Sequence, residues 1–259
     1  MSDKTAKDRV HEWLEKSGYP LEMEVAALLH ARGFSVTPSF IYTDDESGKN
    51  REIDILATKS DKMGFTHAGF VIECKSTPNP WVVFKSTDSS TFASTLVGLS
   101  LHTETADSAI ERLRATSSNI LWSVQRRHLG YGLREASSGQ NDSAYSACTS
   151  LVKASKAWLS SPRVASPRIA FAFPVLVVDS PIFECSLNEK HQIDLVEVSE
   201  SFFVFSPPVA GQTSCLIRIV SKPLLQHFSK YAADLANDVH QEIKPEFDAW
   251  VKSIKDPHT

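Results

Sequence analysis

The spacing of apolar and polar residues predicts one helix followed by three strands near the start of the chain. Apolar side chains in residues 21–32 recur three and four positions apart, as on one face of a helix. Residues 34–42 and 51–58 alternate like strands around a polar turn, so we expect a hairpin. Residues 69–75 begin with a run that is apolar on both faces, which is typical of a strand inside a sheet.

The second half of the chain shows a similar mixture of patterns. Between the halves, a Ser- and Thr-rich region with weak periodicity predicts an elaboration of the fold rather than part of its core. The predicted helices are residues 107–114, 119–127, 143–159 and 223–243, and the predicted strands are residues 169–178, 192–205 (one or two strands) and 215–220.

This order of elements predicts an α/β protein with a mixed central sheet flanked by helices. We expect a single domain over residues 1–259, with a core formed by residues 19–85 and 142–178. Residues 86–141 would be an insertion after the third strand. Residues 179–259 would extend the sheet and add a helix.

Composition adds little to this picture except by exclusion. The chain has 259 residues, of which 42% are hydrophobic, and a formal net charge of −4. Its four cysteines are far apart and lack the spacing of a zinc site. No apolar run approaches the roughly 20 residues that a membrane span needs, so we expect a soluble, cytoplasmic protein that does not bind membranes.

Charged residues at the ends of apolar strands are the candidates for chemistry, because burying a charge is costly unless it is paired or binds a metal. Glu73 and Lys75 are two residues apart and therefore lie on one face of their strand. A hairpin pairing would bring Asp54 of the preceding strand beside Glu73. Two neighbouring carboxylates offer the oxygen ligands that Mg²⁺ prefers, and a nearby lysine can position water or offset phosphate charge.

The first helix carries a further acid. Glu22 shares a flank with the apolar residues of that helix, so its carboxylate is predicted to face the sheet. Glu24 is an alternative for the same role, and both residues could instead face solvent. Glu52 lies on the same strand face as Asp54, and the pattern leaves open whether it supports the site or is merely exposed.

These residues resemble the motif of the PD-(D/E)xK nuclease superfamily. The matching segments are LEMEVAALLHARGF with Glu22, REIDILA with Asp54, and VIECK with Glu73 and Lys75. They are most similar to the Mrr-like restriction endonucleases and the archaeal Holliday junction resolvases. The family core has the order helix, three strands, helix and strand. The resemblance is good from about residue 21 to residue 75 and extends less closely to residue 178, and Ile53 stands where the name of the motif has proline.

The resemblance implies a restriction-endonuclease-like fold and a Mg²⁺-dependent nuclease, with Mn²⁺ as a substitute. In such a protein Asp54, Glu73 and the main-chain carbonyl of Cys74 would be metal ligands. Lys75 would position the attacking water, and Glu22 would be a supporting acid. The resemblance also implies DNA as the substrate, a role in restriction or anti-phage defence, and a possible homodimer.

A locally basic region indicates where a polyanion would bind. Residues 112–178 contain nine basic and two acidic side chains, a local charge of +7 within a chain of net charge −4. Cations gathered on one face favour nucleic acid because they release its condensed counterions. The predicted contacts are Arg126, Arg127, Lys153 and Lys156, although the same residues could simply pair with the acidic remainder of the chain.

Other interpretations remain open from the sequence alone. Glu73 and Lys75 could form a surface ion pair, and Asp54 could lie on a solvated edge. The chain could also be a catalytically inactive module with a nuclease fold, which binds nucleic acid or has a regulatory role. A nuclease that acts on RNA or on structured DNA would carry the same metal site, because that site acts on phosphates and not on bases.

Overall fold

The computed structural model describes residues 4–86, 101–115, 129–137, 142–206 and 214–255. Its helices are α1 (Ala6–Glu15), α2 (Tyr19–Ala31), α3 (Asp107–Ala115), α4 (Ser143–Leu159), α5 (Leu225–Glu242) and α6 (Lys244–Lys255). Its strands are β1 (Ser35–Thr43), β2 (Asn50–Ser60), β3 (Thr66–Lys75), β4 (Trp81–Lys85), β5 (Leu101–His102), β6 (Gly130–Glu135), β7 (Ile169–Val178), β8 (Ile182–Leu187), β9 (Ile193–Val198), β10 (Glu200–Phe205) and β11 (Cys215–Ser221).

The described strands form one mixed sheet with the order β1-β2-β3-β7-β11-β10-β6-β4-β8-β9, and β5 pairs with part of β7. Strands β1, β2 and β3 form an antiparallel meander, which confirms the predicted hairpin. Strand β7 runs parallel to β3 along its whole length. The α/β class with a large mixed sheet flanked by helices is therefore confirmed.

Both faces of the central sheet are covered, which explains why β3 and β7 are apolar on both sides. Helices α2, α3 and α5 pack on one face, where Phe70 and Phe228 are fully buried among aliphatic side chains. Helix α4 packs on the other face and buries Leu151 and Trp158 against β3 and β7. Strands β2 and β3 are therefore held between α2 and α5 on one face and α4 on the other.

The helix that carries Glu22 begins and ends where its sequence predicts. Pro20 lies in its first turn, where the missing N–H costs no hydrogen bond. After its end, Gly33 has a φ of +81°, a left-handed conformation that glycine adopts without a steric penalty. Helix α4 likewise begins as predicted, because the Asp142 side chain accepts a hydrogen bond from the Tyr145 N–H at 2.9 Å.

The pattern did not predict the short elements. The described insertion residues contain β5 and β6 as well as helix α3, and the predicted helix at 119–127 lies outside the described residues. Strands β8 to β11 extend the sheet beyond residue 179, but two helices follow them rather than one. None of the described helices is long and apolar enough to cross a membrane.

Candidate active site

The end of β3 carries the predicted pair of charges. Glu73 is buried, with 8% of its surface exposed, although it lies near the end of its strand. Its neighbour on the same face, Lys75, donates a hydrogen bond from Nζ to Glu73 Oε1 at 2.6 Å. The lysine side chain is 34% exposed, so the pair lies at the boundary between the core and solvent.

Asp54 joins this pair from the neighbouring strand. In the β2–β3 ladder Ile55 pairs with Ile72, and Asp54 and Glu73 each lie one residue beyond this pair. The Asp54 Oδ2 atom accepts a hydrogen bond from the Cys74 N–H at 2.6 Å. The peptide between Glu73 and Cys74 therefore borders both acids, as the predicted strand pairing required.

The electrostatics of Glu73 are unusual for a carboxylic acid. Burial, with a further contribution from the Asp54 charge, raises the pKa of Glu73 from 4.5 to about 7. The ion pair with Lys75 acts in the opposite direction but does not cancel the rise. A buried acid held near neutrality beside a second acid is the kind of perturbation that is concentrated at functional sites.

The other two members of the group are also perturbed. Burial raises the pKa of Asp54, although the hydrogen bond from Cys74 partly offsets it. Burial lowers the pKa of Lys75, but the adjacent Glu73 carboxylate and its hydrogen bond raise it more, so the net shift is upward. The ammonium group of Lys75 is therefore held in its charged form.

The helix α2 acid closest to these charges is Glu22. Burial raises its pKa, and the charges of Asp54 and Glu52 raise it further. Glu24, in contrast, is exposed, and its Oε2 atom lies 3.4 Å from Lys222 Nζ. Glu22 therefore lies close enough to Asp54 and Glu52 for their charges to act on it. Glu24 instead lies beside Lys222.

The chemistry of these residues fits a hard divalent cation. Beyond the effect of burial, the charge of Asp54 raises the pKa of Glu73, and the charges of both acids raise the pKa of the Cys74 thiol. A bound cation would offset this concentration of negative charge. Within the described residues, no group of three or more His, Cys, Asp and Glu side chains is arranged to hold a metal. The set that the sequence predicts has two side chains and a main-chain carbonyl.

A polar network beside the site was not predicted. Glu135 accepts hydrogen bonds from Thr77 Oγ1 at 2.5 Å and Asn79 Nδ2 at 3.0 Å. Asp179 accepts hydrogen bonds from the Ser76 hydroxyl and, at 3.1 Å, from the Thr77 N–H. These acids fix the loop that follows Lys75. Asp179 directly follows the apolar strand β7, so the criterion that identified Glu73 would also have found it.

The predicted nucleic-acid contacts differ in their surroundings. Lys153 Nζ lies 3.0 Å from Asp44 Oδ1 and 2.7 Å from Glu46 Oε2, so its charge is already compensated within the protein. Lys156, one turn further along α4, is half-buried and makes no ion pair within the described ranges. The other two predicted contacts, Arg126 and Arg127, lie outside the described residues.

Three further strand residues are not part of the candidate site. Trp81 is fully buried and therefore packs in the core rather than offering an exposed stacking surface. Glu184 lies on β8 and forms an ion pair with Lys85 at 2.7 Å. Asp194 lies on β9, where Ser186 is its partner across the ladder.

Comparison of the chain with protein-family models, with curated proteins and with solved structures found no match.

Proposed function

We propose that the protein is a metal-dependent nuclease of the PD-(D/E)xK type that hydrolyses phosphodiester bonds in DNA. The observation that carries the proposal is the group formed by Asp54 on β2 and by Glu73 and Lys75 at the end of β3. A half-buried carboxylate, a buried carboxylate and a lysine lie together there on neighbouring strands, and the lysine donates a hydrogen bond to Glu73 at 2.6 Å.

The arrangement of the elements around this group supports a restriction-endonuclease-like core. Helix α2 is followed by the meander β1, β2 and β3, and then, after the insertion, by α4 and β7. Strand β7 lies parallel to β3 on the side away from β2, and α4 covers both strands. This is the helix, three strands, helix and strand order that the sequence resemblance implies.

Each residue has a defined part in the proposed reaction. Asp54, Glu73 and the carbonyl of Cys74 would hold Mg²⁺ or Mn²⁺, and such a cation supplies charge neutralisation and polarisation of a phosphate oxygen. The Lys75 ammonium would donate a hydrogen bond to the attacking water and offset negative charge on the phosphate. Glu22 would act from α2 as a supporting acid, through its field on Asp54.

The substrate and biological setting of the proposal follow from the same resemblance. We propose DNA as the target, with a role in restriction or anti-phage defence. Cutting both strands of a duplex would require two active sites, which a homodimer would provide.

A cleavage assay tests the proposal. Purified protein should cut plasmid DNA with Mg²⁺ or Mn²⁺ and lose this activity with chelator. Lys75→Ala should reduce the rate by about 100-fold or more, the usual effect of removing a group that assists proton transfer. Lys62→Ala removes a lysine from an exposed loop and is the matched control.

Circular dichroism should show that Lys75→Ala remains folded, since the side chain is only partly buried. Cleavage by Lys75→Ala at the wild-type rate would contradict the assignment. Absence of cleavage by the wild-type protein with either cation would also contradict it and would favour a non-catalytic nucleic-acid-binding module.

A further inference from the structure

A second concave site lies between β6, β10 and the first turns of α4. It is a cavity of about 430 Å³, within the size range of ligand pockets in proteins. Its walls are mainly aromatic and aliphatic, with one basic side chain. The residues that line it are Phe84, Tyr131, Gly132, Leu133, Arg134, Ala144, Tyr145, Cys148, Phe203, Val204, Phe205 and Ser206.

Aromatic side chains form two pairs around this cavity. The rings of Phe84 and Tyr131 have centroids 6.2 Å apart, and those of Tyr145 and Phe205 are 5.8 Å apart. Tyr131 is 59% exposed and Tyr145 is 43% exposed, whereas Phe205 is buried. The two exposed tyrosine rings, beside the half-buried Phe84 and the buried Phe205, give flat apolar faces that a planar ligand can contact.

Arg134 adds a positive charge to the lining. Its side chain is 61% exposed, and its Nη1 atom lies 3.5 Å from Asp142 Oδ2. A pair at this distance and exposure is weak, so the guanidinium group can exchange it for a stronger anion. Guanidinium groups bind phosphate through two parallel hydrogen bonds, which suits a ligand that combines a flat ring with a phosphate.

The cavity adjoins the candidate active site through shared elements. Glu135 follows Arg134 on β6 and holds Thr77 and Asn79, in the loop that follows Lys75. Cys148 lines the cavity, and burial raises the pKa of its thiol, with a smaller contribution from the Glu73 charge. Strand β6 and helix α4 therefore connect the cavity with the surroundings of the candidate active site.

We propose that the cavity binds an unstacked nucleobase of a single-stranded nucleic acid, with Tyr131 and Tyr145 against the base and Arg134 on a neighbouring phosphate. A base inside a duplex cannot reach such a cavity, because its faces are covered by stacking. The choice of a nucleobase as the occupant rests on the proposed nuclease function. It extends that function by assigning a substrate class, single-stranded or locally unpaired nucleic acid.

Binding to labelled DNA in the presence of chelator tests this inference without cleavage. Fluorescence anisotropy would compare a short single-stranded DNA of mixed sequence with the same sequence as a duplex. The wild-type protein should bind the single strand more tightly. Tyr131→Ala should weaken single-strand binding by about fivefold or more, since it removes an aromatic ring on which a base would stack.

Two control variants separate the cavity from general surface effects. Trp13→Ala removes an exposed aromatic side chain from α1, and Arg163→Gln removes an exposed charge after α4. Both should bind as the wild type does. Arg134→Gln should weaken binding and lower the slope of log affinity against log salt by about one counterion.

The inference is wrong if Tyr131→Ala binds the single strand as tightly as Trp13→Ala does, or if the duplex binds as tightly as the single strand. Its outcome can be distinguished from that of the nuclease proposal. Loss of single-strand binding in Tyr131→Ala, together with no cleavage by the wild type under Mg²⁺, would support the cavity and contradict the nuclease. Cleavage by the wild type, together with unchanged single-strand binding by Tyr131→Ala, would support the nuclease and contradict the proposed role of the cavity.

Discussion

At the scale of single residues, Glu73 carries the most informative property of the site. Its buried carboxyl group lies beside Asp54, and its pKa is raised to about 7 despite the ion pair with Lys75. Without a cation the folded protein therefore holds this proton to a higher pH than the unfolded chain, whose glutamate titrates near 4.5. Protonation of Glu73 and stability of the fold are thus linked.

This linkage predicts a pH-dependent effect on stability in the presence of chelator. The stabilising contribution of the proton on Glu73 is complete below pH 4.5 and is lost as the pH rises through about 7. Glu73→Gln, which stays neutral, should become increasingly more stable than the wild type over this interval. The difference in unfolding free energy should grow by on the order of 3 kcal/mol.

Urea denaturation of the wild type and of Glu73→Gln at pH 5 and pH 8 measures this difference. Glu24→Gln changes an exposed acid on α2 and should show no such growth. A constant difference between Glu73→Gln and the wild type across this range would contradict the linkage.

The two acids of α2 provide a second prediction at the residue scale. Glu22→Gln should reduce Mg²⁺-dependent cleavage by about 10- to 100-fold, the usual effect of removing a group that supports metal ligands. The expected cause is loss of an acid whose charge interacts with that of Asp54. Glu24→Gln should cleave at nearly the wild-type rate because Glu24 is turned toward Lys222. Equal rates for the two variants would remove Glu22 from the site.

At the scale of elements, the packing of α4 on β3 depends on one glycine. A Cβ atom added at Gly69 would lie 2.4 Å from a ring carbon of Trp158, which is closer than real side chains approach. Gly69→Ala should therefore lower the free energy of unfolding by about 1–3 kcal/mol, the typical cost of overpacking. The measurement is urea denaturation followed by tryptophan fluorescence.

Gly132→Ala is the matched control for this prediction. Gly132 also lies in a strand, but a Cβ there would meet its nearest neighbour, a carbon of Phe84, at the ordinary contact distance of 3.6 Å. Gly69→Ala with unchanged stability would show that Trp158 can move away and that α4 is not rigidly held on β3.

The long elements of the core were predictable from sequence, and the short ones were not, for physical reasons. Helix α2 shows the helical period of apolar residues, and strands β3 and β7 contain long apolar runs. Strand β4 has five residues, and β6 has two glycines among six, so neither has a clear pattern. Helix α1 has only four apolar residues among ten, and none of them is buried.

The site shows the same division. Glu73 and Lys75 were predictable because charges end an apolar strand, and Asp54 because strand pairing places it opposite. Glu135 was not predictable, because its strand β6 is placed by pairing with β4 and β10, and these contacts are distant in the sequence.

At the scale of the whole molecule, the distribution of charge changes the meaning of the locally basic region. Arg112 is bound to Glu246, and Lys153 to Asp44 and Glu46, so part of this positive charge holds elements together. Among the described residues of this region, Arg134 and Arg163 are exposed and Lys156 is half-buried. We therefore expect the described part of this region to offer few phosphate contacts, so that binding of nucleic acid would depend on the candidate active site and the cavity.

The measurement that tests the central claim most directly is a calorimetric titration of the protein with Mn²⁺ at pH 8, above the pKa of Glu73. The wild type and Glu24→Gln should bind the cation alike, whereas Asp54→Asn and Glu73→Gln should bind it at least about 10-fold more weakly, as expected for loss of a carboxylate ligand. No binding by the wild type, or equal binding by all four proteins, would contradict the claim that Asp54 and Glu73 form a divalent-cation site.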